Sequence, residues 1–222
     1  MNRRRFDILD AWRSLAVLLM LGYHFLYDLY IFGVLTAGQM FSAPLCLLQK
    51  FICCSFILLA GISARFSRSN LRHGVVVLLA GAAVETGAAI GGQMFMGTAM
   101  LLYHFAGRRL QKIPGLLLTA GCSILFPLTA WWTGQTQVSA GWLYPLGFMP
   151  PGFYSADYFP LFPWLFLFLF GTVLGGLCLD RRDSPLLARP LPPALTWLGR
   201  HSLTVYVLHQ PALYGISYFI WG

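Results

Sequence analysis

Apolar runs of about 20 residues recur along the chain, separated by short polar stretches, and that length is what an α-helix needs to cross a hydrocarbon core. The pattern predicts seven spans, roughly 8–34, 43–65, 73–91, 96–108, 114–134, 158–179 and 196–220. The fourth is shorter than a full crossing requires. Stretches such as Leu15 to Met20 and Val75 to Ala80 do not alternate apolar with polar residues, which sets aside a transmembrane β-barrel. The expected fold is all-α: a polytopic transmembrane helix bundle of about seven spans, forming one domain over residues 1–222. No internal repeat interrupts it, and glycine-rich stretches such as Gly81 to Gly92 suit close helix packing better than linkers.

Composition agrees with the pattern. Of the 222 residues, 58% are hydrophobic and 10% charged, against roughly a quarter charged in soluble domains. The net charge of +8 does not make a nucleic-acid footprint, because the basic residues fall in short clusters between apolar segments: Arg3 to Arg5, Arg65 to Arg72, Arg108 to Lys112 and Arg181 to Arg200. With the N-terminus in the cytoplasm, loops 66–72, 109–113 and 180–195 with their flanks hold nearly every Lys and Arg. The opposite loops 35–42, 92–95 and 135–157 hold none. This is the positive-inside rule, and with seven spans it puts the C-terminus outside a multi-pass protein of the cell membrane. The basic start is expected to lead into a retained first span, since the apolar run is too long for a signal peptide and no clear small-residue cleavage site follows. Five cysteines, mostly within apolar segments, form neither a disulfide framework nor a zinc spacing. Loop 135–157 carries Trp142, Tyr144, Phe148, Phe153 and Tyr154, which suit either an interfacial aromatic belt or a cover over an outward-facing pocket.

The chemistry begins in the first span. At about 100° per residue, Arg13 and His24 point within roughly 20° of each other, and Asp10 and Asp28 fall on the same side, in a stripe about 60° wide. Ionisable groups in a span cost several kcal/mol unless paired or wet, so the stripe should face the bundle interior. Asp10 and Arg13 could simply pair near the interface. His24 lies deeper, four residues from Asp28, which could orient its imidazole as in a general-base pair. Lys50 on span two, Glu85 on span three and His209 on span seven come out at similar depth. They suggest a polar layer, or a purely structural pair of Lys50 with Glu85 or Asp28. The last span contains LGRHSLTVYVLHQPAL, starting at Leu198. There Ser202, Tyr206 and His209 share a face, and Gln210 follows.

These segments carry a resemblance. The opening RRFDILDAWRSLAVLLMLGYHFLYDLY, the segment DYFPLFPW beginning at Asp157, and LGRHSLTVYVLHQPAL resemble the catalytic-domain family of heparan-α-glucosaminide N-acetyltransferase in its short bacterial form. Arg13-x10-His24 is also similar to the pattern of the acyltransferase-3 membrane enzymes. The resemblance implies transfer of an acetyl group from cytoplasmic acetyl-CoA to an amino or hydroxyl group, as of a glycan or amino sugar, on the other face of the bilayer. It implies His24 as base or acetyl relay, with Arg13 on the cytoplasmic side of the same stripe, and Asp28, four residues on, completes the catalytic candidates. Arg13, Arg108, Arg109 and Arg200 become candidates for the CoA phosphates, and no metal is expected. Asp10, Lys50, Glu85, Asp157, Ser202, Tyr206, His209 and Gln210 are then acceptor-site or supporting residues. One departure stands out: the lysosomal enzyme's proposed catalytic histidine follows its span on the lumenal side, whereas no histidine occurs here between His24 and His73.

Two other readings remain open at this point. The buried layer could serve a proton-coupled transporter or channel, although many transporters show a repeat. His24 and His209 could also be axial ligands of a haem. A homo-oligomer is compatible with all three.

Overall fold

The computed structural model describes residues 6–67, 69–84, 92–136, 138, 141–149 and 159–222. Ten α-helices are described, with no strand among the described residues: α1 (Asp7–Ile31), α2 (Ala37–Met40), α3 (Ala43–Phe66), α4 (Asn70–Val84), α5 (Gly92–Leu110), α6 (Gly115–Gln135), α7 (Leu161–Asp180), α8 (Pro185–Ala188), α9 (Pro193–Arg200) and α10 (Ser202–Trp221). Four of them, α1, α3, α6 and α7, are long and apolar enough to cross a membrane. Described helices lie in each of the seven regions in which the apolar pattern anticipates spans, with 85–91 and 158 outside the described residues. The region expected to be too short, 96–108, lies inside the 19-residue α5, so that helix is longer than its apolar core.

Local signals explain the helix ends. Asp7 and Asp10 lie in the first turn of α1, where carboxylates meet the positive end of the helix dipole. The same helix stops at Gly33, whose φ of 73° only glycine adopts cheaply. The N–H of Val34 then reaches back to the Leu29 carbonyl at 2.9 Å. Thr36 and Gln39 cap α2 reciprocally, and the Ser69 hydroxyl accepts from the Arg72 N–H at the start of α4. Proline opens α9 at its first turn.

The expected last span, 196–220, requires correction. It is not one helix: His201, at φ −108° and ψ 17°, separates α9 from α10. The His201 N–H bonds the Trp197 and Leu198 carbonyls, both at 3.2 Å, and its ring sits 2.8 Å from the Trp197 carbonyl oxygen. These bonds close α9 on itself. Each of the two helices then takes its own approach to α1.

The chain divides into two units, Met1–Phe56 with Arg181–Gly222, and Ile57–Asp180, the boundary falling within α3. In the first, α1 packs against α9 and α10. Its core is Val17, Met20, Tyr23, Met40 and Ile52, with Leu198, Val205 and Tyr206 packed on it. In the second, α4 packs on α5, α6 on α7 and α5 on α7, around Ile57, Ala60, Phe95, Ala99, Tyr103 and Phe168.

Close approach in the second unit depends on missing side chains. A Cβ on Gly171 of α7 would lie 2.6 Å from the Leu58 carbonyl oxygen, and one on Gly175 would lie 2.8 Å from that of Ile62. Gly61 of α3 meets the Phe168 backbone in return. This is the small-xxx-small packing through which helix backbones approach in membranes, where dispersion rather than water exclusion drives association. Gly121 on α6, by contrast, has open space around it. Gly171→Val should therefore lower stability by about 1–3 kcal/mol, while Gly121→Ala should be neutral or mildly stabilising. Thermal unfolding in detergent micelles measures both, and equal midpoints for the two variants would contradict this packing.

Candidate functional site

Two polar centres lie on the stripe of α1, both within the first unit. The lower one is ionic. Asp10 accepts from Arg13 Nη1 at 3.0 Å through Oδ1, and from Arg200 Nε at 3.3 Å through Oδ2. Arg200 also reaches Asp7 with Nη2 at 3.0 Å, and the second oxygen of Asp7 accepts from the Leu191 N–H at 3.1 Å. Two carboxylates thus meet two guanidinium groups, and Asp10 is answered on both oxygens. Arg13 and Arg200, both expected at CoA phosphates, are engaged with carboxylates here. Such pairing lets charge persist in a partly buried setting where a lone ion would cost several kcal/mol.

A close helix crossing holds this cluster together. Ser14, buried on α1, donates to the Asp10 carbonyl at 3.1 Å and accepts from the Gly199 N–H at 2.7 Å. A Cβ on Gly199 would overlap the Asp10 carbonyl oxygen, so glycine is what lets α9 reach α1. Phe6 lies under the Arg182 guanidinium, 6.0 Å from ring centroid to cation. The sequence reading missed Asp7, Ser14 and Gly199 as site residues. Asp7 was visible as the second acidic residue of the first turn. The roles of Ser14 and Gly199 depend on a partner 185 residues away, which no local pattern reports.

The upper centre is about 21 Å further along α1, counting 14 residues from Asp10 to His24 at 1.5 Å each. Here the His24 ring contacts the His209 ring of α10, edge to face, with centroids 4.7 Å apart. Tyr23 meets His24 at 6.2 Å and Tyr206 meets His209 at 5.4 Å. Asp28, fully buried, accepts a hydrogen bond from Gln210 Nε2 at 3.0 Å. The expected orientation of His24 by Asp28 does not appear: among the described residues the partner of that carboxylate is the Gln210 amide. Asp28 Oδ2 and Gln210 Oε1 are buried acceptors with no donor among the described residues. His209 is buried, and its Nδ1 lies 2.6 Å from the Tyr206 carbonyl oxygen.

The remaining candidates fall elsewhere. Ser202 is half-buried at the start of α10, and Lys50 on α3 is exposed. Neither an ion pair of Lys50 with Asp28 nor one with any other carboxylate occurs among the described residues. Arg108 and Arg109 belong to the second unit, exposed in the last turn of α5, where a helix end favours cations. Glu85 and Asp157 lie outside the described residues.

The ring geometry also bears on haem. Axial imidazoles of a haem have the iron between them and cannot have their rings in edge-to-face contact. The pair at 4.7 Å does not fit that arrangement.

Asp28 and Gln210 join α1 to α10 across 182 positions of sequence. A double-mutant cycle with Asp28→Ala and Gln210→Ala should give a coupling of about 0.5–1.5 kcal/mol. Strictly additive losses in thermal unfolding would mean that the bond contributes nothing.

Comparison with known proteins adds the family. No curated protein and no solved structure matches the chain. One family model does, described as heparan-alpha-glucosaminide N-acetyltransferase, catalytic, and it matches residues 5–211, a stretch that takes in both polar centres of α1 and their partners on α9 and α10. The chain is a member of the heparan-alpha-glucosaminide N-acetyltransferase catalytic family, a family of membrane acetyltransferases.

Proposed function

We propose that this protein transfers an acetyl group from acetyl-CoA, entering at the N-terminal end of α1, to an amino or hydroxyl group of a sugar entering from the opposite membrane face. The observation that carries the reading is the upper centre: His24 in ring contact with His209, next to the buried Asp28–Gln210 pair. Family membership supports the acetyltransferase part. The placement of basic residues in alternate loops supports a cytoplasmic N-terminus and a donor from that side. The match spans both units of the chain, which supports treating them as one acyltransferase domain in the cell membrane.

In this reading His24 is the general base. It takes the proton of the acceptor as its nitrogen or oxygen attacks the thioester carbonyl, and CoA leaves as the thiolate. Asp28 Oδ2 and Gln210 Oε1 are two buried acceptors that a substrate amine or hydroxyl can satisfy as a donor, which would hold it beside the imidazole. Arg13 and Arg200 meet the CoA phosphates by exchanging carboxylate for phosphate, a swap between ligands of matching bidentate geometry. Asp7 and Asp10 keep those guanidinium groups oriented until the anion arrives.

Calorimetry on the purified chain in micelles tests the donor, and turnover with glucosamine as a probe acceptor tests the base. Acetyl-CoA should bind wild type and His24→Ala alike, while His24→Ala should lose about 10²–10⁴ in turnover. Arg13→Ala should weaken binding itself. Absence of acetyl-CoA binding by wild type would overturn the donor assignment, and full turnover by His24→Ala would overturn the base.

A further inference from the structure

The ring that touches His24 is not held like a packing residue. His209 Nδ1 lies 2.6 Å from the Tyr206 carbonyl oxygen one turn earlier. A carbonyl oxygen only accepts, so Nδ1 must carry the proton. In the neutral ring Nε2 is then the basic nitrogen. The tautomer is thus fixed by the backbone of α10. Gln210, the next residue, anchors the same turn to Asp28 of α1, and this fixes the height of His209 against His24.

We propose that His209 is a positioning residue that acts through His24, its backbone-anchored ring holding the His24 imidazole in place during acyl transfer. This rests on the acetyltransferase reading and extends it. The acceptor's N or O forms its bond to the acetyl carbon, the C–S bond breaks, and its electron pair goes to sulfur. The acceptor's proton goes to His24 and from there to the CoA thiolate, so the imidazole ends as it began. Two imidazoles in ring contact resist carrying two positive charges. His209 therefore stays neutral while His24 is protonated. Among the described residues, the titratable groups beside these rings include Tyr23 on α1 and Tyr206 on α10, with Asp28 held by the neighbouring Gln210. Cys53 and Cys54 on α3 are half-buried, Lys50 on that helix is exposed, and Arg200 of α9 is committed to the lower centre.

Two variants separate this role from simple packing. His209→Asn keeps a donor for the Tyr206 carbonyl and deletes Nε2, and His209→Phe keeps a ring and deletes both nitrogens. Both should lower kcat about tenfold or more with KM unchanged, and both should alter the pH profile of kcat. Nitrogen-15 NMR of histidine-labelled wild type in micelles should show His209 protonated at Nδ1 in its neutral form. The titration curve of His24 should change in His209→Phe. An Nε2-protonated His209, an unchanged His24 titration, or a wild-type pH profile in His209→Asn would each overturn the proposal. The NMR readout needs no turnover. Wild type that transfers no acetyl from acetyl-CoA to glucosamine would instead count against the acetyltransferase reading, with the positioning of His24 by His209 decided by NMR alone.

Discussion

A charged or strongly polar side chain inside an apolar helix is tolerated only where another group answers it, and in this protein that requirement ties the two ends of the chain together. Among the described residues, three members of the stripe on α1 meet groups from the other end of the chain: Asp10 meets Arg200, His24 meets His209 and Asp28 meets Gln210. Arg200 closes the ionic cluster, Gly199 provides the close approach, and Gln210 meets Asp28. The break at His201 follows from the same demand. A straight helix would have to serve the Gly199 crossing and the His209–Gln210 contacts with one axis. Two helices joined at a non-helical residue serve them separately.

The two units are held by different physics. In the unit containing α1, apolar packing of Val17, Met20 and Tyr23 with Val205 and Tyr206 surrounds a polar seam. In the other, helix backbones come together over Gly61, Gly171 and Gly175 and over Gly74 and Gly97. Polar seams specify register, because a one-residue slip separates every donor from its acceptor. Glycine contacts specify distance, because any side chain at the crossing pushes the helices apart. It is consistent with this division that the candidate chemistry gathers in the unit with the polar seam. The large apolar side chains left outside, among them Leu116, Trp131, Leu208 and Phe219, suit a lipid environment, in which an exposed apolar face costs nothing.

Much of this was legible before the structure. Helical periodicity alone placed Asp10, Arg13, His24 and Asp28 on one stripe, since those angles depend only on residue number. The apolar runs located the helices, and the motifs at both ends pointed to the family. What sequence could not resolve was which distant group each polar residue meets. Asp28 lies four residues from His24 and so looked like its orienting carboxylate, yet it bonds Gln210, 182 positions away. Lys50 seemed to share the layer by depth, but depth says nothing about rotation, and the residue is exposed. The break at His201 was hidden because no proline lies at that position.

The two centres on α1 differ in how complete they are, and the difference assigns them different work. At the lower centre each oxygen of Asp10 and of Asp7 has a donor. Complementary charges already in contact give stability and orientation, and an anion must compete with carboxylates to enter. At the upper centre Asp28 Oδ2 and Gln210 Oε1 are buried acceptors without donors among the described residues, each carrying a desolvation cost of about 1–3 kcal/mol. A purely structural seam would gain by replacing that pair with apolar side chains of the same shape. Their retention next to two imidazoles in contact makes sense if a hydrogen-bond donor arrives from outside the chain. An amine or hydroxyl about to be acetylated is such a donor, and it would reach its partners and its base in the same place.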